Sequence, residues 1–154
     1  YRTNEIYSFC WELNAQISML NPDVLALLYH FARYSDGPIL EFGPYVGGST
    51  AALGRGLRDG TRPGGIVTVE IGGAADHPSI PSKDIIADLE KNLARYEVRD
   101  SVQVIQGSSR DANVIERVEA LADGQRYAVL MIDSDGHVSA DLEIYRRMLR
   151  PGAY

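Results

Sequence analysis

"LEFGPYVGGST", residues 40–50, places three glycines, a proline and a Ser-Thr pair directly behind a short apolar run. An apolar strand, a glycine turn and a helix start in that order form a turn that can hold a ligand, because the free N–H groups of a helix N-terminus face outward there. The spacing is E-x-G-x-x-x-G, from Glu41 through Gly43 to Gly47, one residue longer than the dinucleotide-binding G-x-G-x-x-G. Pro44 stands where that motif keeps a backbone donor. An acid ahead of the turn suits a ligand with a cationic amine better than a pyrophosphate.

Working outward, residues 22–34 carry Val24, Leu25, Leu27, Leu28, Phe31 and Ala32 in a helical stripe, with Asn21 as N-cap and Pro22 at the first position. A helix opened near Ser49 follows the glycine turn. Gly54 and Gly56 weaken it by about 1 kcal/mol each relative to Ala, and close packing against the sheet would account for them. "GIVTVEIG" (65–72), "SVQVIQGSS" (101–109) and "YAVLMIDSD" (127–135) read as further strands. Between them, 83–96 and 111–124 read as amphipathic helices, and 139–152 as a last helix with Ser139 as N-cap and a Pro-Gly stop.

Strand and helix thus alternate four times. Nearly continuous apolar strands separated by amphipathic helices imply a doubly wound α/β fold, a parallel sheet covered on both faces. At 154 residues the chain forms one domain, over 21–154, behind an N-terminal segment of 1–20. It begins at Tyr1 and stops at "RPGAY", where a strand would start. We therefore expect a fragment whose natural form continues into a fifth strand. A composition 45% hydrophobic and 23% charged is that of a folded chain, and a net charge of -6 argues against nucleic acid or an anionic membrane as partner. Cys10 is the single cysteine, which rules out an internal disulfide and a cysteine-rich zinc site and favours the cytoplasm. No apolar run approaches the ~20 residues of a membrane span, and the N-terminus lacks a signal-peptide layout.

In such sheets ligands sit beyond the carboxyl ends of the strands, where strand order reverses. Those ends read Glu41-Phe42-Gly43, Glu70-Ile71-Gly72, Gly107-Ser108-Ser109 and Asp133-Ser134-Asp135. Three of the four carry an acid. Like charges gathered at one sheet edge call for solvent, a polar ligand or a cation.

The order and spacing of "ILEFGPYVGGST", "VTVEIG", "VIQGSSRD" and "LMIDSDGHVSADLEIYRRMLRPGAY" resemble the class I S-adenosylmethionine-dependent methyltransferases. Within that class the chain looks most like small-molecule O-methyltransferases, namely the catechol type and the group of sugar O-methyltransferases and cephalosporin hydroxylase-like proteins. The resemblance runs from about residue 20 onward and implies a Rossmann-like sheet of which four of seven strands are present. It further implies S-adenosylmethionine as cofactor. Glu41 and Gly43 would form the turn against its methionine part, Gly47 would close that turn, and Tyr45 and Ser49 would approach the same moiety. Glu70 would accept both ribose hydroxyls, and Gly107, Ser108 and Ser109 would lie beside the adenine. Arg110 stands where the catechol type has a glutamine.

The same resemblance makes Asp133 the acid that binds Mg²⁺ near the transferred methyl in metal-dependent members. Asp135 is then a supporting acid behind it, and His137 a base for the acceptor hydroxyl, since an imidazole can take that proton near neutral pH. A lone His in a helix-entry loop is more often simply exposed. His30 and His77 have no metal-ligand spacing and read as packing or surface residues. Tyr7, Cys10 and Trp11 are candidates to line a substrate entrance, with ordinary packing as the alternative. The implied activity is O-methylation of a small-molecule hydroxyl, Mg²⁺-assisted or not, by a protein whose oligomeric state is left open. Two other readings stand beside it: a nicotinamide (NAD) oxidoreductase on a similar fold, and a non-catalytic binding domain.

Overall fold

The computed structural model describes residues 2–62, 64–134 and 136–154, with side chains from residue 5 onward. The chain runs α1 (Arg2–Gln16), α2 (Pro22–Tyr34), β1 (Ile39–Phe42), α3 (Gly48–Asp59), β2 (Ile66–Glu70), α4 (Ile85–Arg95), β3 (Val102–Gln106), α5 (Ala112–Leu121), β4 (Val129–Ile132) and α6 (Val138–Tyr145). The strands form one parallel sheet in the order β3-β2-β1-β4. This is the expected doubly wound α/β arrangement, and the order reverses between β1 and β4.

Alternation along the strands splits the core in two. Ile39, Ile66, Val102 and Val129 face α1 to α4, where Leu13, Leu25, Leu53, Leu89 and Leu93 bury their side chains. Leu40, Phe42, Val67, Val69 and Ile105 face the other way, onto Val114 and Val118 of α5 and Tyr145 of α6. Helix α1 belongs to the first layer through Ile6, Cys10 and Leu13, continued by Ile17 just past its end, spaced four, three and four apart. At the outer edge of β4 the backbone of Tyr154 donates to Ala128 and accepts from Leu130, a parallel pairing around Val129, while its ring stacks on Phe31 at 4.9 Å.

Three local expectations are corrected. Helix α6 starts at Val138 with His137 in the N-cap position, so Ser139 lies inside it. The last turn runs over as a short 3-10 helix, Arg146–Met148, ahead of the Pro-Gly pair. The glycines of α3 do not pack on the sheet. A Cβ at Gly56 would stand 2.3 Å from the Tyr29 carbonyl of α2, and one at Gly54 would stand 2.6 Å from Val98. These two positions let α3 close onto α2 and onto the segment after α4.

Candidate functional site

A cavity of about 430 Å³ opens at the carboxyl ends of all four strands. Its wall is built from Phe42–Tyr45 after β1, Val69–Ile71 after β2, Gly107–Arg110 after β3 and Asp133-Ser134 after β4. Gly48 and Ser49 of α3 close the floor, and Ile17–Leu20, between α1 and α2, close one side. The apolar side chains of Ile71 and Met19 stand at the mouth, 69% and 56% exposed.

The turn after β1 is shaped by two backbone conformations with positive φ. Gly43 has φ +78°, and a Cβ there would fall 2.1 Å from the carbonyl oxygen of Asp133. Glycine is therefore required twice over, for the dihedral and for the close approach that brings the β4 end against the β1 end. Tyr45 has φ +53°, costly for an aromatic residue. Two contacts hold it in place: its N–H donates to Glu70 Oε2 at 3.0 Å, and its hydroxyl donates to the Ile80 carbonyl.

Glu70 is 7% exposed and points to the cavity from the end of β2. Oε2 accepts the Tyr45 N–H, and Oε1 accepts the Gly72 N–H at 3.0 Å. Each oxygen has a second lone-pair direction left. The carboxylate is thus fixed in orientation while keeping two adjacent acceptor positions, an arrangement that fits a vicinal diol.

Glu41 sits beneath the turn and does not line the cavity. It is fully buried on the α3 face of β1, and its Oε2 accepts the hydroxyls of Thr50 at 2.6 Å and Thr68 at 2.8 Å. Register places Thr68 beside it on β2. Burial pushes its carboxyl above the ordinary range; the hydroxyls of Ser49, Thr50 and Thr68 oppose that rise and the nearby Glu70 adds to it. Among the described residues Oε1 finds no hydrogen-bond partner. Glu41 therefore ties β1, β2 and α3 together under the turn.

Of the residues singled out from sequence, Gly43, Tyr45, Ser49, Glu70, Gly107, Ser108, Ser109 and Asp133 come together in the cavity wall. Gly47 does not reach it: it is the left-handed N-cap of α3 and packs toward Leu89. His137 stands exposed at the head of α6, outside the wall. Asp135 lies outside the described residues. Among the described residues no three His, Cys, Asp or Glu side chains gather where they could hold a metal ion. Asp133 alone does not make a magnesium site.

The entrance candidates are corrected too. Cys10 is buried in the core, and Tyr7 and Trp11 are exposed outside the cavity; the lining from this part of the chain comes from Ile17–Leu20 instead. His77 serves its own loop, where Nδ1 accepts the N–H groups of Ser79 and Ile80 at 3.2 Å. Asp141 passed unnoticed in the sequence. It is fully buried on α6 and accepts the hydroxyl of Ser109 at 2.7 Å. An acid on a short helix of mostly exposed residues gives no signal of this kind. Among the described residues no helix is long and apolar enough to cross a membrane.

Residues 4–154 match the family described as Rhamnosyl O-methyltransferase/CmcI. No curated protein matches the chain. Among solved structures, the cofactor-bound Rv0187 from MTB is 23% identical with a TM-score of 0.66, over 98% of this chain and 62% of that one. The O-methyltransferase from Bacillus cereus in complex with SAH is 21% identical with a TM-score of 0.67, over 97% and 62%. TomG from Streptomyces achromogenes, an O-methyltransferase involved in tomaymycin synthesis and bound to SAM, is 19% identical with a TM-score of 0.67, also over 97% and 62%. At these identities the likeness is one of fold. The chain spans about 62% of the length of each of these three structures.

Proposed function

We propose, from the premise that the chain belongs to the Rhamnosyl O-methyltransferase/CmcI family, that it binds S-adenosylmethionine in the strand-end cavity and serves methyl transfer to the hydroxyl of a small molecule. The observation that carries this is Glu70. Its two oxygens are each held by one backbone N–H and each keep one acceptor position, and Glu70 lines the cavity, which suits the two hydroxyls of a ribose. The apolar surface of Ile71 beside it suits a flat ring, and the turns at Gly43 and Gly107 let backbone lie close to the ligand.

Bound here, S-adenosylmethionine would supply a methyl group activated by its sulfonium for displacement by the acceptor oxygen, with loss of the hydroxyl proton. The protein's share is positioning and management of that proton. Glu70 fixes the ribose end, and Ser49 with the N-terminus of α3 stands at the opposite end of the turn. Asp133, on the cavity wall beside the glycine turn, accepts the hydrogen of the incoming hydroxyl. Among the described residues Asp133 has no gathered companion ligands for Mg²⁺, and His137 does not line the cavity. The family gives no support to a nicotinamide ligand.

The test is calorimetric titration of the full chain with S-adenosylhomocysteine. Micromolar binding, lost in Glu70→Ala with an unchanged circular dichroism spectrum, is the expected result. A folded sample that binds neither S-adenosylhomocysteine nor S-adenosylmethionine would sink the proposal, and NADH added to the same sample decides the oxidoreductase reading.

A further inference from the structure

β3 and β4 are the two outer strands of the sheet, with β2 and β1 between them. At a strand spacing of about 4.8 Å they lie on the order of 14 Å apart. The turns that follow them nevertheless share one carboxylate. Asp141 Oδ1 accepts the Ser109 hydroxyl at 2.7 Å, and Oδ2 accepts the Ser134 hydroxyl at 3.4 Å. One helical turn later the Tyr145 hydroxyl donates to the Ser109 carbonyl at 2.6 Å, and the Tyr145 ring packs on Phe42 at the end of β1, 4.6 Å between centroids. Asp141 and Tyr145 are the two buried residues of α6, whose other described residues are exposed or half-buried.

Helix α6 is therefore anchored to the cavity rim through polar contacts as well as through burial of the Tyr145 ring. Ser109 and Ser134 both line the cavity, so the buried carboxylate ties the β3 turn to the β4 turn from behind the cavity wall. We propose that Asp141 is a positioning residue that sets the width of the cavity by clasping these two turns, and that affinity for the cofactor class depends on this clasp. The affinity part rests on the methyltransferase reading above; the clasp itself does not.

The experiment has two arms on the full chain. Amide exchange is followed by NMR at two N–H groups that report each turn separately: Asp111, bonded to the Ser108 carbonyl, and Asp133, bonded to the Phe42 carbonyl. S-adenosylhomocysteine affinity is measured alongside. Asp141→Ala is expected to speed exchange at both amides and to weaken binding about tenfold, the scale of one hydrogen bond to a charged group. Ser109→Ala is expected to loosen the far turn at Asp133, and Ser134→Ala the far turn at Asp111, whereas Ser109→Thr, which keeps the hydroxyl, keeps amide exchange at Asp133 near wild type. A purely local structural role would not carry an effect across the cavity. Exchange that rises only on the mutated side overturns the proposal, as does additive loss of affinity in Asp141→Ala/Ser109→Ala. Should Asp141→Ala fail to fold, the two serine variants decide by the same cross-cavity readout. Should wild type bind no S-adenosylhomocysteine, the cofactor reading falls and the exchange arm alone judges the clasp.

Discussion

Replacing Glu41 by Gln tests whether the buried carboxyl beneath the glycine turn is held in its acid form. Gln keeps the shape and an oxygen for the hydroxyls of Thr50 and Thr68, both of which donate to Glu41 Oε2. Burial raises the folded-state pKa above the ordinary 4.5, so the folded protein holds this proton more tightly than the unfolded chain does. That contribution is complete below pH 4.5 and disappears as pH rises through the folded-state value, at up to about 1.4 kcal/mol per pH unit. Gln carries no such proton. Glu41→Gln should match wild type within about 1 kcal/mol at pH 4, then gain on it steadily as pH rises. Glu41→Ala is the opposite case. It leaves two buried hydroxyls without an acceptor, about 1–3 kcal/mol each, so a loss on the order of 3–5 kcal/mol is expected at pH 4, shrinking as pH rises because Ala, like Gln, carries no such proton. Urea unfolding followed by circular dichroism, at half-unit steps from pH 4 to 7.5, measures all three. A Gln variant that lags wild type by a constant amount, or falls further behind with rising pH, would show that Glu41 is ionised in the fold and would refute the reasoning.

Gly43→Ala forces a Cβ to 2.1 Å from the Asp133 carbonyl at a φ of +78°; we expect a loss of about 2 kcal/mol or more and S-adenosylhomocysteine binding weakened beyond detection by calorimetry. Cys10 is fully buried and burial pushes its thiol up to about 11, so Ellman's reagent should label it in the native protein only at the rate of unfolding, and immediately in denaturant. Because Asp133 has no gathered partners among the described residues, titration with S-adenosylhomocysteine in Mg²⁺ and in EDTA should give the same affinity.

The strands and most helices are legible because a parallel sheet covered on both faces demands unbroken apolar runs, and "AVLMI" or "IVTV" has few other uses. The strand-end wall of the cavity is legible for a related reason. Such a sheet presents its ligand residues just after each strand, so Glu70 and the Gly107–Ser109 turn could be found by position. Features set by packing between distant segments could not be. The buried stripe of α1 is diluted by exposed Tyr7 and Trp11, and Ile17–Leu20 reach the cavity only because α1 and α2 fold back across α3. Gly54 and Gly56 look alike in sequence yet meet different partners, Val98 and α2. Asp141 reads as a solvated charge until the fold sets Ser109 beside it, 32 residues away in the chain.

The cavity wall runs from Ile17 to Ser134, so its parts meet only after nearly the longest loops in the chain have closed. Contacts of such separation form late and slowly, since the entropy of loop closure must be met before they add stability. A ligand that needs the whole wall can have no grip on the early, partly folded chain. It should leave the folding rate almost untouched and act by slowing unfolding, so that its protection is seen as a longer lifetime of the native state.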